Sequence, residues 1–265
     1  MPLIFLTGGS GYLGHAITTH ALSKNYTIHS LSRSPESDAK ITSLGAVPIR
    51  GDLTTHSVLR EQSQKADIVI HLADPMAGNY SLPYEERIRI DDESVTAIAE
   101  GLVGTNKPLV VTSGSLVVAA TGTETDENSA LWEEGKALNE RIVSERKNLR
   151  WWEEKGDAAE LYLLAAERAG AGEVFNGCSE WGVTFGELGR AMADVLGVEV
   201  GLVGFEEAKR VWGEFFAGFL STENRASGGK AMRVLGWAPK KVGIVEEVRH
   251  GSYVEVAERL RNGAA

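Results

Sequence analysis

Four glycines near the start of the chain have the spacing and surroundings of a diphosphate site. Gly8, Gly9, Gly11 and Gly14 separate a short apolar run from a helical pattern that begins at Tyr12. The apolar run predicts a buried parallel strand, and the glycines predict a tight turn. Such a turn lets the backbone approach phosphate oxygens, whose charge is stabilised by the N–H groups and dipole of a helix N-terminus. The order of strand, turn and helix therefore indicates a dinucleotide-binding site, with an ordinary glycine turn as the alternative.

The residues after a second predicted strand, 26–32, bear on which dinucleotide would bind. About 20 residues beyond the glycine turn, an acid would accept the ribose hydroxyls of NAD, whereas an Arg suits the 2′-phosphate of NADP. Ser32 and Arg33 stand in this region, and the first carboxylate after them is Glu36. The sequence thus predicts NADP(H) in preference to NAD(H), the alternative being that Arg33 is only a solvated loop residue.

Strands and helices alternate over the first half of the chain. Three further apolar runs predict strands at residues 46–50, 67–73 and 107–113, and helices are predicted at 55–65 and 83–102. This alternation predicts an α/β protein with a doubly wound parallel Rossmann-type sheet, whose ligand lies across the carboxyl ends of the strands. His71 in the fourth strand is interpreted as a core histidine with satisfied hydrogen bonds.

The second half of the chain is predicted to be mostly helical. Helices are predicted over residues 131–148, 157–168, 184–196, 205–220, 230–235 and 242–261, with a brief strand at 173–176. We therefore expect an NADP-binding Rossmann domain over residues 1–176. Residues 177–265 are expected to form a small helical C-terminal lobe for substrate or packing.

Composition argues against several other classes of protein. The formal net charge of −10 disfavours binding to nucleic acid or to anionic membranes. No apolar run approaches the length of a membrane span. The six histidines show no metal-ligand spacing, so no metal site is predicted. The single Cys178 fits a reducing, cytoplasmic setting and is interpreted as a small buried residue.

Several motifs together resemble the extended or atypical short-chain dehydrogenase/reductases, the group that contains NAD-dependent epimerases and dehydratases. They are Thr7-Gly-x-x-Gly11-x-x-Gly14, Gly51-Asp-Leu53, His71-Leu-Ala73 and Leu235-Gly-Trp-Ala-Pro239. The resemblance implies that Asp52 contacts adenine and that residues 71–73 lie beside the nicotinamide ribose. With Arg33, the predicted cofactor-binding residues are Thr7, Gly8, Gly11, Tyr12, Leu13, Gly14, Asp52, Leu53, Leu72, Ala73 and Lys136.

The resemblance also implies a catalytic Tyr, a Lys four residues later, and a Ser or Thr. Lys136 stands in the Lys position, but Trp132 stands four residues before it, and an indole cannot titrate. The catalytic Tyr is therefore absent from its usual place. Ser113 and Ser115 flank the usual hydroxyl position, so the predicted catalytic residues are Ser113, Ser115 and Lys136. The alternative is that both serines merely end the fifth strand.

A sixth strand, which relatives place after the Lys-bearing helix, is also missing. This indicates either a true deletion or a shortened gene model or splice form. An unpaired strand edge is costly because its backbone groups lose hydrogen bonds. We therefore expect residues 173–176 to pair beside residues 109–113, or a second copy of the chain to cover that edge.

Three functions remain open at this point. The first is an NADP(H)-dependent oxidoreductase acting on a small carbonyl or sugar-like substrate, with Tyr80 or Tyr84 as conceivable proton sources. The second is an NADP-binding regulator or pseudoenzyme without redox turnover, and the third is a non-redox isomerase or cyclase using the same pocket. The expected partner is a small-molecule substrate, with a homodimer as the default assembly.

Overall fold

A five-stranded parallel sheet lies at the centre of the computed structural model, which describes residues 1–77, 79, 81–133, 159–180, 182–240, 242–251 and 253–261. The strands are β1 (Leu3–Thr7), β2 (Thr27–Ser32), β3 (Val47–Arg50), β4 (Ile68–His71) and β5 (Leu109–Val111). Their order is β3-β2-β1-β4-β5, and each neighbouring pair is parallel. The predicted doubly wound α/β fold is thereby confirmed.

Helices connect the strands and continue beyond them. The first four are α1 (Tyr12–Ser23), α2 (Pro35–Ser43), α3 (His56–Lys65) and α4 (Tyr84–Leu102). Those after β5 are α5 (Ala159–Arg168), α6 (Phe185–Leu196), α7 (Phe205–Trp212), α8 (Glu214–Ser221), α9 (Gly229–Leu235), α10 (Ile244–His250) and α11 (Tyr253–Arg261).

Both faces of the central strands β1 and β4 are buried, which explains why these two strands read as continuous apolar runs. On one face Ile4 packs in a cluster with Ile17 of α1 and Tyr162 of α5. On the other face Phe5 packs in a cluster with residues of α3 and α4, among them Ile98. The central strand β1 is thus fixed from both sides, and its carboxyl end is a rigid support for the glycine turn.

One helix, α2, was missed by the sequence analysis. It begins directly after β2, where the Ser34 hydroxyl accepts a hydrogen bond from the Ser37 N–H at 3.2 Å and Pro35 occupies the first turn. A serine N-cap followed by proline is an established start signal for a helix, so the signal was present in the sequence.

The chain divides into two compact units. The first comprises Met1–Ala119, Asp126–Gly177 and Gly228–Trp237, and the second Ala120–Thr125, Cys178–Ser227 and Ala238–Ala265. In the first unit, α9 packs on α5 through Leu161, Ala231 and Leu235. In the second unit, Arg249 of α10 donates two hydrogen bonds to Asp194 of α6.

Two helices predicted in the C-terminal region are each divided in the structure. The predicted helix 205–220 is interrupted at Gly213, whose φ of 84° a helix cannot accommodate. The predicted helix 242–261 is divided into α10 and α11, with Gly251 following α10. Apolar periodicity continues across both breaks, and so the pattern alone predicted continuous helices.

Two other predictions about local structure were wrong. Residues 173–176 form no strand and do not pair with β5; instead Lys230 donates to the Val174 carbonyl at 2.8 Å and lies over the Phe175 ring. Leu131 pairs with Val118 in an isolated antiparallel bridge, so residues 131–133 are extended rather than helical. The remainder of the predicted helix 131–148 lies outside the described residues.

Candidate functional site

The glycine turn is packed so closely that a Cβ added to Gly9 or Gly14 would clash, and one added to Gly8 would be crowded and strained. Gly8 has a φ of 77°, and a Cβ there would lie 3.1 Å from the Ala73 nitrogen. A Cβ on Gly14 would lie 2.2 Å from the Gly8 carbonyl oxygen. The turn therefore brings the start of α1 directly against the end of β1, as the strand, turn and helix order predicted.

The N-terminus of α1 retains its capacity to bind an anion. Its N-cap is Gly11, with no side-chain hydrogen bond to the first turn, and no acidic residue lies in that turn. The first N–H groups of a helix have no partner within it, so those of Tyr12, Leu13 and Gly14 can donate hydrogen bonds to phosphate oxygens. Tyr12 itself is 96% exposed and lies outside the core.

The hydroxyl of Thr7 at the end of β1 holds the end of β4. Its Oγ1 accepts hydrogen bonds from the N–H groups of Leu72 and Ala73, each at 3.1 Å. These two bonds use both lone pairs of the hydroxyl oxygen. The hydroxyl hydrogen must then be donated to His71 Nδ1, which lies 2.9 Å away. Thr7 thus fixes the predicted cofactor-binding residues Leu72 and Ala73 beside the glycine turn.

This arrangement sets the tautomer of His71. Because Nδ1 accepts from Thr7, the neutral ring carries its hydrogen on Nε2. Nε2 is buried without a hydrogen-bond partner, and the Asp91 carboxylate of α4 lies 3.7 Å from it, beyond hydrogen-bond distance. The interpretation of His71 as a fully satisfied core histidine was therefore wrong for Nε2.

Arg33 lies at the carboxyl end of β2, as the sequence predicted. Its side chain is exposed, and its Nη2 donates a 2.7 Å hydrogen bond to the Ala77 carbonyl in the loop after β4. Glu36, the first carboxylate after β2, lies in the first turn of α2. Hydrogen bonds with its own backbone and with Ser34 lower the pKa of Glu36, so this carboxylate caps its own helix.

Asp52 lies just beyond β3, at the same edge of the sheet. Its Oδ1 accepts from the Thr54 N–H at 2.9 Å, the Thr54 hydroxyl at 2.7 Å and the Thr55 hydroxyl at 3.0 Å. These hydrogen bonds hold the pKa of Asp52 below its ordinary value, and the bond from the Thr54 hydroxyl has the largest effect. Leu53, by contrast, is buried in the core with 8% exposure.

Ser113 and Ser115 follow β5, next to the end of β4. The Thr112 N–H donates to the His71 carbonyl at 3.2 Å, which places the two strand exits side by side. Ser113 is the next residue, and Ser115 begins a short 3₁₀ turn, Ser115–Val117. The sequence analysis missed Tyr162, whose hydroxyl lies 2.6 Å from that of Thr112 and holds this exit against α5. Its apolar surroundings in the sequence gave no signal of this contact.

A second missed contact holds the loop after β4. Arg87 of α4 donates to both carboxylate oxygens of Asp74, at 3.1 and 2.5 Å, and is 14% exposed. The Met76 N–H donates to the same carboxylate at 2.8 Å. An Asp in a loop and an Arg in the following helix occur in many sequences. The positions of Asp74 and Arg87 therefore gave no specific indication that they form an ion pair.

Two of the residues considered for catalysis, Lys136 and Tyr80, lie outside the described residues. Trp132, which is among the described residues, is half-buried and lies in extended backbone. Its backbone N–H donates to the Val117 carbonyl at 3.3 Å. Tyr84 is the first residue of α4. The residues predicted to bind the cofactor at the ends of β1, β2, β3 and β4 do lie along one edge of the parallel sheet.

The parallel sheet with a glycine turn at the carboxyl end of its central strand defines a Rossmann-type fold. The model of the NAD dependent epimerase/dehydratase family matches residues 4–137, which is half of the chain. The chain belongs to this family. The resemblance to extended short-chain dehydrogenase/reductases is therefore confirmed.

Among curated proteins, an uncharacterised protein of Saccharomyces cerevisiae, YLL056C, is 26% identical, with 93% of this chain and 97% of that protein covered. That alignment extends over 294 positions, more than the length of this chain, so YLL056C has internal residues without a counterpart here. A sterol-4-alpha-carboxylate 3-dehydrogenase, decarboxylating, of Dictyostelium discoideum is 39% identical over 79 residues, 30% of this chain and 24% of that protein.

Solved structures show the same fold at low sequence identity. The crystal structure of gox2253 has a TM-score of 0.74 at 18% identity, with 100% of this chain and 99% of that chain covered. PA4631, a nucleoside-diphosphate-sugar epimerase from Pseudomonas aeruginosa, has a TM-score of 0.72 at 15% identity and 99% coverage of both chains. MoeE5 in complex with UDP-glucuronic acid and NAD has a TM-score of 0.67 at 16% identity, covering 97% of this chain and 99% of that chain.

None of the helices that the structure describes is both long enough and apolar enough to span a lipid bilayer.

Proposed function

We propose that this protein binds NADP(H) across the carboxyl edge of its sheet and transfers hydride between the nicotinamide and a small carbonyl or sugar-like substrate. When bound, the dinucleotide supplies the hydride chemistry, and the protein supplies position and electrostatics. The uncapped start of α1 and the close packing of the glycine turn support binding of the diphosphate.

The observation that carries the preference for NADP(H) is the position of Arg33. It follows β2 directly, where the ribose of the adenosine half lies in Rossmann folds, and its guanidinium matches a phosphate. The nearest following carboxylate, Glu36, lies three residues further on, in the first turn of α2 and not at the end of the strand.

The proposed chemistry assigns one task to each candidate residue. Ser113 or Ser115 would hydrogen-bond the substrate carbonyl from the exit of β5, and Lys136 would bind the nicotinamide ribose. The serines are supported by their place next to the β4 exit. A proton donor is left unassigned, and general acid catalysis is worth roughly 10²–10⁴ in rate, so slow turnover is expected.

The test begins with binding and then asks for turnover. NADPH and NADH are titrated by fluorescence, and NADPH is expected to bind more tightly. Nicotinamide absorbance is then followed with a panel of aldehydes, ketones and sugar nucleotides. Sugar nucleotides are included because solved neighbours are named as epimerases of such compounds. If neither dinucleotide binds, the proposed function is wrong.

A second candidate function is NADP binding without redox turnover, as in a nucleotide-sensing regulator. Trp132, at the position where the resemblance implies a catalytic Tyr, favours it, because an indole cannot transfer a proton to substrate. Tight NADPH binding with no absorbance change across the panel would favour this candidate. A homodimer, a cytoplasmic location and the boundary between residues 176 and 177 stay predictions.

A further inference from the structure

The hydrogen bond between Arg33 and Ala77 crosses the carboxyl end of β1. Arg33 follows β2 and Ala77 follows β4, and these two strands flank β1 in the sheet. A contact between their exits must therefore span the end of β1, where the glycine turn begins. The guanidinium and the Ala77 carbonyl form a bridge at the edge where the dinucleotide is proposed to bind.

The Ala77 end of this bridge belongs to a turn with its own backbone hydrogen bonds. The Ala77 N–H donates to the Asp74 carbonyl at 3.0 Å, and the Asn79 N–H donates to the Met76 carbonyl at 2.9 Å. The Asp74 carboxylate is in turn held by Arg87 of α4. The turn is thus anchored to α4 at its base, and Arg33 ties its far side to β2.

A guanidinium has five N–H donors in a planar fork, and Ala77 uses one of them. Within the described residues, Arg33 forms no ion pair with a carboxylate. Its other donors can therefore bind phosphate oxygens while Nη2 stays on the Ala77 carbonyl. A lysine is a poorer match, because its three donors diverge from one nitrogen and lack the planar fork with which a guanidinium can bind a phosphate bidentately while it also holds the carbonyl.

We infer that Arg33 is a strap that couples the adenosine end of the cleft to the turn at residues 74–77. This rests on the proposed function, since the occupant of the strap is the 2′-phosphate of NADP(H). A bound phosphate fixes the guanidinium, and the fixed guanidinium orders the turn. An unphosphorylated dinucleotide leaves the strap held by the single exposed hydrogen bond to Ala77.

The first test uses the protein without nucleotide and measures amide hydrogen exchange of peptides covering residues 74–79. Arg33→Met should speed exchange at the Ala77 and Asn79 amides roughly threefold to tenfold. Arg60→Met is the matched control, since it removes an exposed arginine that contacts Glu100 between α3 and α4. Unchanged exchange in Arg33→Met, or an equal change in Arg60→Met, overturns the strap.

The second test adds saturating NADPH or NADH, with saturation verified by fluorescence. NADPH should slow exchange at these amides at least about threefold more than NADH, and Arg33→Met should abolish the difference. Arg33→Lys should keep part of the preference for NADPH but lose the extra protection of the turn. Equal protection by two bound dinucleotides overturns the coupling alone. If neither NADPH nor NADH binds, the proposed function is wrong. The comparison of the nucleotide-free variants then still decides whether the strap exists.

Discussion

The Thr7 hydroxyl and the His71 ring are joined by a buried hydrogen bond of 2.9 Å between Oγ1 and Nδ1. The same hydroxyl accepts from the backbone of Leu72 and Ala73. One side chain at the end of β1 thus satisfies three groups at the end of β4. This explains in physical terms why a threonine precedes the glycine turn.

Thr7→Val is expected to destabilise the protein by roughly 2–4 kcal/mol, because two N–H groups and a ring nitrogen lose their partner in a buried place. Thr7→Ser keeps the hydroxyl and should cost about 1 kcal/mol, mainly for the lost methyl group. Urea unfolding of the two variants measures the difference. Equal losses in both would show that the hydroxyl contributes nothing.

Gly14→Ala should abolish dinucleotide binding and lower stability by several kcal/mol, roughly the cost of overpacking a rigid site. The reason is the 2.2 Å approach of the added Cβ to the Gly8 carbonyl. Gly189→Ala in α6 is a matched control, because a Cβ there meets nothing within 4 Å. The control should gain about 0.4–1 kcal/mol by reducing the entropy of the unfolded chain. Normal binding by Gly14→Ala would argue against the site.

Arg33→Met should weaken NADPH binding roughly 10- to 100-fold, the range expected for charge-assisted hydrogen bonds to phosphate. NADH lacks the phosphate, so its affinity should change by less than about threefold. Fluorescence titration of both dinucleotides gives the ratio directly. A parallel loss for NADPH and NADH would mean that Arg33 does not select the phosphorylated form.

Asp52→Ala should cost roughly 0.5–1 kcal/mol, because Thr54 and Thr55 lose an exposed acceptor. The folded pKa of Asp52 lies below its ordinary 3.8, so its contribution is present above that value and lost as pH falls through the folded pKa. The difference between wild type and variant should therefore shrink in acid, as measured by urea unfolding. A difference that stays constant through that range would contradict the role of the carboxylate charge.

Asp126→Ala provides the matched control for binding. Asp126 accepts similar local hydrogen bonds from Asn128 and Ser129, and these also lower its pKa. Both variants should lose similar stability, but only Asp52→Ala should reduce dinucleotide affinity. A similar loss of affinity in both would indicate a general effect rather than a contact at Asp52.

The sequence determined the five strands of the parallel sheet, the glycine turn and the residue at the end of β2. Buried parallel strands must be apolar on both faces, and a diphosphate turn must lack side chains, so both leave local patterns that a sequence preserves. Helix ends were less well determined, because Gly213 and Gly251 interrupt patterns that remain apolar on either side.

Only the tertiary structure decided which distant groups meet. Thr7 and His71 lie 64 residues apart, Thr112 and Tyr162 lie 50 apart, and Arg33 and Ala77 lie 44 apart. These contacts depend on the order of strands in the sheet, which brings the exits of β2 and β4 to either side of β1. Hydrogen bonds between such exits have no sequence periodicity, because their geometry is set by the packing of the whole sheet and not by neighbouring residues.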